Sequence, residues 1–356
     1  MRKLKCGIVG FGISAKAYHI PFLTTMEEFE LACVVERSGN EVQQRLPAVR
    51  SVRSIDELLA DQSIDLVVIT TPNETHFPFA VQCLKAGKHV VVEKPFTNTS
   101  KEAETLVNLA NSGDQVLSVY QNRRYVSDFL TIKEILDKRL LGEVHEFESH
   151  YDRYRPEARP AAWREAPLPG SGIFYDLGPH LLDQVCCLFG LPSAITADIT
   201  SQRPHSRVDD FFNLWLHYPF GKVILHAGML IREPGPRYMV HGTKGSYIKY
   251  GEDVQEAKLR GGELPTQADW GREPENIFGL LHTLEDGELI KEKYPSLPGN
   301  YGLYYKNLYD TIVNGHLSKE RPEHGYNTIR LIELAFESAE NRCMLDCAGL
   351  MDVPYP

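Results

Sequence analysis

Apolar residues recur along this chain with two rhythms, and the change falls near position 123. Before it, short β-branched runs, Leu4–Val9, Leu31–Val35, Leu66–Thr70, His89–Val92 and Val116–Tyr120, alternate with amphipathic stretches such as Phe77–Ala86 and Lys101–Asn111. Unbroken apolar runs of strand length, separated by helices, predict a parallel sheet covered on both faces. Thr99 and Ser100 are good N-cap residues for the second stretch, with Glu102 in its first turn. Residues 1–123 therefore read as a doubly wound α/β domain.

After a linking helix over Asp128–Arg139, strand-like segments crowd together: Val144–Arg153, Ile195–Gln202, Phe211–Tyr218, Lys222–Leu230 and Tyr238–His241. Pro219-Phe220-Gly221 reads as a turn between two of them. Helices are expected over Phe174–Phe189, Gly302–Val313 and Thr328–Arg342, and surface loops over Gly261–Asp269 and Lys293–Gly299. Residues 124–356 thus form an α+β domain with a large, open, mostly antiparallel sheet. Tyr218, Phe220, Leu225, Met229 and Ile231 are expected on a sheet face that no helix covers, and such a face needs a partner.

Composition narrows the classes without naming an activity. The 356 residues suit two domains, and 42% hydrophobic with 24% charged residues is ordinary for a globular protein. The net charge of −10 argues against a protein that grips nucleic acid. No apolar run reaches the roughly 18 residues of a membrane span, and the N-terminus reads as a strand rather than a signal peptide. The seven cysteines include no CxxC pair and read as reduced thiols, so the expected compartment is the cytoplasm.

Chemistry enters with Gly10-Phe11-Gly12-Ile13-Ser14-Ala15, directly after the first strand. G-x-G-x-x-A is a variant of the dinucleotide fingerprint. The first glycine makes the tight turn, the second admits a pyrophosphate to the backbone, and the small third residue lets helix pack on strand. The helix N-terminus offers free N–H groups to phosphate. Glu36, at the end of the second strand-like run, stands where an acid would accept hydrogen bonds from the adenosine ribose of NAD. Arg37 and Ser38 follow it and could hold the 2′-phosphate of NADP, or Arg37 could be a solvated charge. Thr71-Pro72-Asn73 with His76, Glu93-Lys94-Pro95, and Asn122-Arg123-Arg124 follow further strands on the same carboxyl edge. Ligands of open α/β sheets lie there. Lys94 could equally be a surface lysine in a turn, and Arg123 and Arg124 could be structural.

On a helix, Asp176, His180, Asp183 and Gln184 share a stripe about 100° wide, while Leu177, Leu181, Leu182, Val185, Leu188 and Phe189 face away from it. A solvated amphipathic helix would give such a stripe too. Yet Asp176 and His180 at i, i+4 can hydrogen-bond, and a carboxylate would orient the imidazole. Tyr151 and Arg153 share one face of a strand with Tyr154 on the other, and these groups suit a sugar or a subunit contact. His19 and His76 are not spaced with carboxylates in a metal pattern, His145 and His150 lie in or beside a strand and His205 in a loop, and no metal is expected.

The glycine loop, Glu93-Lys94-Pro95 and Asp176-x-x-x-His180 resemble the glucose–fructose oxidoreductase / inositol dehydrogenase / rhizopine catabolism (Gfo/Idh/MocA) family, in particular its NADP-dependent scyllo-inositol dehydrogenase branch. Further carriers are Ser118–Arg124, Tyr154–Glu157, Trp163–Glu165, Tyr175–His180, Gly235–Tyr238 and Ile248–Gly251. The resemblance implies a Rossmann domain joined to an open-sheet domain. It also implies an NAD- or NADP-dependent dehydrogenase acting on CH–OH groups, with hydride passing between nicotinamide and a cyclic polyol or sugar. Glu36 departs from what the NADP-dependent branch would carry, so the cofactor stays open. In this picture Lys94, Asp176 and His180 are catalytic. His180 takes the hydroxyl proton, Lys94 hydrogen-bonds the oxygen, and Asp176 orients His180. Gly10, Gly12, Ile13, Ser14, Glu36, Arg37, Ser38, Thr71, Pro72, Asn73, His76, Glu93, Lys94 and Asn122 would touch the cofactor, joined by Trp163 and Arg164. Lys94, Asn122, Arg123, Tyr151, Arg153, Tyr154, Asp176 and His180 would touch substrate. A homodimer or homotetramer through the second sheet is implied. The alternative is a nucleotide-binding sensor with the same fold and no turnover, or a dehydrogenase of aldoses or diols.

Overall fold

In a computed structural model describing residues 2–158 and 165–356, the chain divides into two units. The first contains Met1–Asn122, Gln255–Trp270 and Asn300–Tyr326; the second contains Arg123–Val254, Gly271–Gly299 and Asn327–Pro356. The chain leaves the first unit after Asn122 and returns to it twice.

The first unit holds a six-stranded parallel sheet: β1 (Leu4–Val9), β2 (Phe29–Val35), β3 (Arg50–Val52), β4 (Leu66–Ile69), β5 (His89–Val92) and β6 (Leu117–Val119), in the order β3-β2-β1-β4-β5-β6. Leu66, Val67, Val68 and Ile69 are fully buried, as expected of a strand covered on both faces. The short β3 escapes a periodicity reading because Arg50 is exposed and Val52 alone is buried. The Ser100–Asn111 helix starts as expected: Thr99 and Glu102 form a reciprocal capping box. The strand order reverses between β1 and β4, which makes the crevice beyond their carboxyl ends the ligand position of such sheets.

One return of the chain adds the Gly302–Asn314 helix. Tyr301, Tyr305 and Tyr309, spaced four apart, present one aromatic stripe to Phe22 and Phe29. That long-range aromatic packing draws a late helix into the first unit, and no local pattern encodes it.

The second unit carries a nine-stranded mixed sheet: β7 (Val144–His150), β8 (Ala194–Thr200), β9 (Phe211–Tyr218), β10 (Gly221–Gly228), β11 (Tyr238–Gly242), β12 (Gly245–Lys249), β13 (Gly279–Glu285), β14 (Glu288–Tyr294) and β15 (Leu345–Asp346). Their order is β14-β13-β12-β11-β7-β10-β9-β8-β15, with β7 and β10 parallel and the other pairs antiparallel. Lys293 and Tyr294, expected in a loop, end β14 instead; that edge strand has no buried residue and so no alternating apolar signal.

The expected apolar face is corrected by register. Leu225 is fully buried and Tyr218 and Met229 nearly so. Val223, Leu225 and Ala227 alternate with half-buried neighbours along β10. Tyr218 and Phe220 pack with Phe189 at the end of the Ile173–Phe189 helix. Strand period two puts the alternate residues on the opposite face, where Trp215 is 45% exposed.

Arg237 organises the interior of this unit. Its Nε donates to Asp128 Oδ2 (3.1 Å) and its Nη2 to Gln184 Oε1 (2.9 Å) and to the Tyr238 hydroxyl. Nη1 donates to Ser149 Oγ, and the guanidinium lies 4.0 Å over the Tyr151 ring and 4.2 Å over that of Tyr238. One buried cation thereby joins the Ser127–Asp137 helix, two strands and the Ile173–Phe189 helix. Removing it strands the buried Asp128 carboxylate. Arg237→Met is expected to lower unfolding free energy by about 3–5 kcal/mol in denaturant titrations, and Arg237→Met/Asp128→Leu to recover part of that loss.

Candidate functional site

In the first unit, three loops meet at the carboxyl edge of the parallel sheet. Gly10 has φ +101°, and a Cβ there would stand 3.1 Å from Thr70 Oγ1 and 3.2 Å from Thr71 Cγ2, so only glycine makes this turn. A Cβ on Gly12 would meet nothing within 4 Å. The backbone there faces open space, as a pyrophosphate requires. Helix begins immediately, with π-helical turns over Ala15–His19 continuing into Ile20–Thr25, and Ile13 is 54% exposed at its start.

The Glu93 carboxylate ties this loop to the next. Oε1 accepts from Ser14 Oγ and lies 3.0 Å from His19 Nε2, while Oε2 accepts from the Lys94 N–H at 3.0 Å. Burial works to raise its pKa; hydrogen bonds and charge from His19, the Ser14 hydroxyl and the Lys94 charge outweigh burial and bring it down to about 2. His19 is anchored on its other side, Nδ1 lying 2.6 Å from the Tyr305 hydroxyl. Neither His19 nor Tyr305 carries a sequence signal for this role.

His76 connects the remaining loops. Its Nδ1 lies 2.8 Å from the Pro95 carbonyl and its Nε2 3.0 Å from that of Thr71, and burial pushes its pKa below the usual imidazole value. Thr75 Oγ1 donates to Thr71 Oγ1 at 2.6 Å. Asn73 and Asn122 are buried, Lys94 is half-buried, and the Lys94–Pro95 peptide is cis.

Glu36 is held by the segment that follows it. It is buried, and its carboxylate caps the Glu41–Arg45 helix: Oε1 accepts from the Glu41 N–H (2.8 Å) and Oε2 from the Val42 N–H (3.3 Å). Arg53 Nη1 donates to the carbonyls of Glu36 and Gly39, pinning the segment between them, on which Arg37 and Ser38 are exposed.

In the second unit, the helix with the polar stripe runs from Ile173 to Phe189. It follows Gly172 at φ +96°, and Asp209 Oδ2 accepts from the Phe174 N–H at 2.7 Å. Burial pushes the Asp209 carboxyl up to about 6 against that N–H. Leu177, Leu181, Leu182 and Val185 are buried, as the periodicity predicts.

The stripe divides by role. Asp183 takes a bidentate pair from Arg124 at 2.8 and 2.6 Å, so Arg124 is structural. Gln184 joins Arg237 through its oxygen and the Arg123 carbonyl through its nitrogen. His180 is buried at 6% exposure, and Asp176, one turn earlier, lines a cleft with Arg155, Arg203 and Asp209. Tyr151 is buried beneath Arg237, Arg153 is half-buried, and Tyr154 is 41% exposed with the Arg232 guanidinium 3.9 Å over its ring. Trp163 and Arg164 lie outside the described residues.

The glycine cradle on a 3-2-1-4-5-6 sheet defines a dinucleotide-binding protein. Residues 4–121 match the family profile described as an oxidoreductase family, NAD-binding Rossmann fold, and residues 133–345 match the oxidoreductase family, C-terminal alpha/beta domain. The chain belongs to the Gfo/Idh/MocA oxidoreductase family. It is 45% identical to the uncharacterized oxidoreductase YdgJ of Escherichia coli over 96% of this chain and 98% of that protein. It is 39% identical to scyllo-inositol 2-dehydrogenase (NADP(+)) IolW of Bacillus subtilis over 95% of this chain and 94% of that one. The crystal structure of an oxidoreductase from Bacillus cereus superposes with a TM-score of 0.90 at 35% identity, covering 99% of this chain and 100% of that one. No helix among the described residues is long and apolar enough to cross a membrane.

The Glu93 network should be visible in acid. A carboxylate whose folded pKa is depressed stabilises the fold above its unfolded pKa and loses that contribution as pH falls through the folded value. Unfolding free energy is therefore expected to fall between pH 4.5 and about 2 in the wild type, and Glu93→Gln is expected to flatten that slope while lowering stability near neutral pH. Denaturant titrations across that pH range provide the check.

Proposed function

We propose that this oxidoreductase is an NADP-preferring dehydrogenase that moves hydride between nicotinamide and a secondary alcohol or ketone of a cyclic polyol, an inositol in the first instance. The observation that carries this reading is the full-length similarity to a scyllo-inositol dehydrogenase together with Lys94, Asp176 and His180.

The cofactor cradle would be Gly10, Gly12, Ile13 and Ser14, flanked by Thr71, Pro72, Asn73, Asn122 and the Glu93-Lys94 turn. Bound NAD(P) supplies the hydride acceptor or donor. The preference for NADP rests on Glu36: its carboxylate already accepts two helix N–H groups, while Arg37 and Ser38 remain at the surface to meet a 2′-phosphate. His180 takes the hydroxyl proton during oxidation and returns it during reduction, with Asp176 holding the ring. Lys94 hydrogen-bonds the oxygen as charge develops on it. Glu93 and His76 hold the loops that carry Lys94 and Thr71. Self-association through the open face around Trp215 belongs to the same proposal.

Two measurements test it. His180→Ala is expected to cut kcat roughly 10²–10⁴-fold with inositol substrates while leaving the NADPH dissociation constant unchanged. Arg37→Ala is expected to weaken NADPH and spare NADH. Tight NADPH binding with no turnover on any inositol, aldose or diol would favour a nucleotide sensor, and equal affinity for both cofactors would overturn the cofactor preference.

A further inference from the structure

The register of β7 and β10 gathers a group of side chains that the nucleotide and polyol chemistry does not use. In the parallel pair, His150 stands opposite His226. The chain runs on past β7 in extended form, the Tyr151 N–H donating to the His226 carbonyl, and period two returns Asp152 to the face of His150. Glu148 lies on that face two residues earlier. The sequence holds the pattern Glu148-x-His150-x-Asp152, but its partner His226 is supplied only by sheet register.

We propose that His150, Asp152 and His226 form a binding site for a divalent transition-metal ion of the zinc class, with Glu148 as the outer partner of His150. His226 Nδ1 lies 2.9 Å from Asp152 Oδ1, His150 Nδ1 lies 3.5 Å from Asp152 Oδ2, and all three donor atoms fall within 4.8 Å of one another. Two ligands held at about 2.1 Å from one ion at a tetrahedral angle stand roughly 3.4 Å apart. The carboxylate–imidazole separations bracket that value, and the two imidazole rings stand with their centroids 5.0 Å apart. The donor set of two imidazoles and one carboxylate suits zinc or cobalt rather than magnesium or calcium, which take oxygen ligands.

The surroundings fit a metal centre in two further ways. His150 Nε2 lies 3.1 Å from Glu148 Oε2, the outer-carboxylate arrangement of zinc-bound histidines. Gly235 backs the site: its N–H donates to Asp152 Oδ2 at 3.3 Å, and a Cβ there would lie 3.7 Å from that oxygen and 4.0 Å from His150 Nδ1. His150 and His226 each keep partial exposure. An ion here would join the end of β7 to β10.

The test uses tag-free, chelator-treated full-length protein. Calorimetry with Zn²⁺ and absorption with Co²⁺ are expected to show one equivalent bound per chain. The cobalt spectrum should lack the sulfur-to-metal band that the exposed Cys343 would add. The thermal midpoint should rise with Zn²⁺ and fall back with EDTA. Glu148→Gln is expected to weaken binding about 10–100-fold, and His150→Ala/His226→Ala to abolish it while circular dichroism stays unchanged. No bound metal, binding that survives the double variant, or a thiolate band would each overturn the site. Turnover with inositol, retained or lost, has no bearing on these readouts, so the metal site stands or falls apart from the proposed activity.

Discussion

The carboxylate of Glu93 is the constraint on which the nucleotide edge depends. A buried carboxylate is costly unless several donors satisfy it, and here they are drawn from separate segments: Ser14 and His19 from the glycine-loop helix, and the backbone of Lys94 from the end of β5. The glycine loop and the turn that carries Lys94 are therefore held to a common point. His76 repeats the device with neutral groups, facing the Thr71 and Pro95 carbonyls at once.

The second unit solves a similar problem with a cation. Arg237 is enclosed by Asp128, Gln184, Ser149 and two tyrosine rings, which compensate its removal from water. Arg124 does the same for Asp183. Half of the polar stripe on the Ile173–Phe189 helix thus fixes that helix in place. Asp176 and His180, the earlier half, are the residues to which the proposed proton transfer falls. A surface lined with polar groups and a buried polar joint have the same helical periodicity, and only their partners distinguish them.

Legibility followed the range of the interactions. The parallel strands, the capping box at Thr99 and the glycine turn at Gly10 are set by residues within a few positions of one another, and each stands where local pattern puts it. Edge strand β14 was not legible, because a strand with no buried residue has no apolar alternation to read. The face of Leu225 was hidden for another reason: a one-residue shift in register exchanges every side chain between faces, and register is decided by the neighbouring strands. Glu36 has the type and position expected of a ribose ligand, and the bonds its carboxylate accepts from the N–H groups of the Glu41–Arg45 helix were not legible beside that reading.

By itself, then, the sequence determined the parallel sheet and the mostly antiparallel one, the glycine turn, the family and the helix bearing Asp176 and His180, because short-range periodicity and motif spacing encode them. Tertiary structure alone decided that Tyr305 supports His19, that Arg124 and Arg237 take up Asp183 and Gln184, and that His226 comes beside His150. Each of those pairings joins residues more than 50 positions apart. It exists only because burial requires every charged or polar side chain inside to find a partner, wherever in the chain that partner lies.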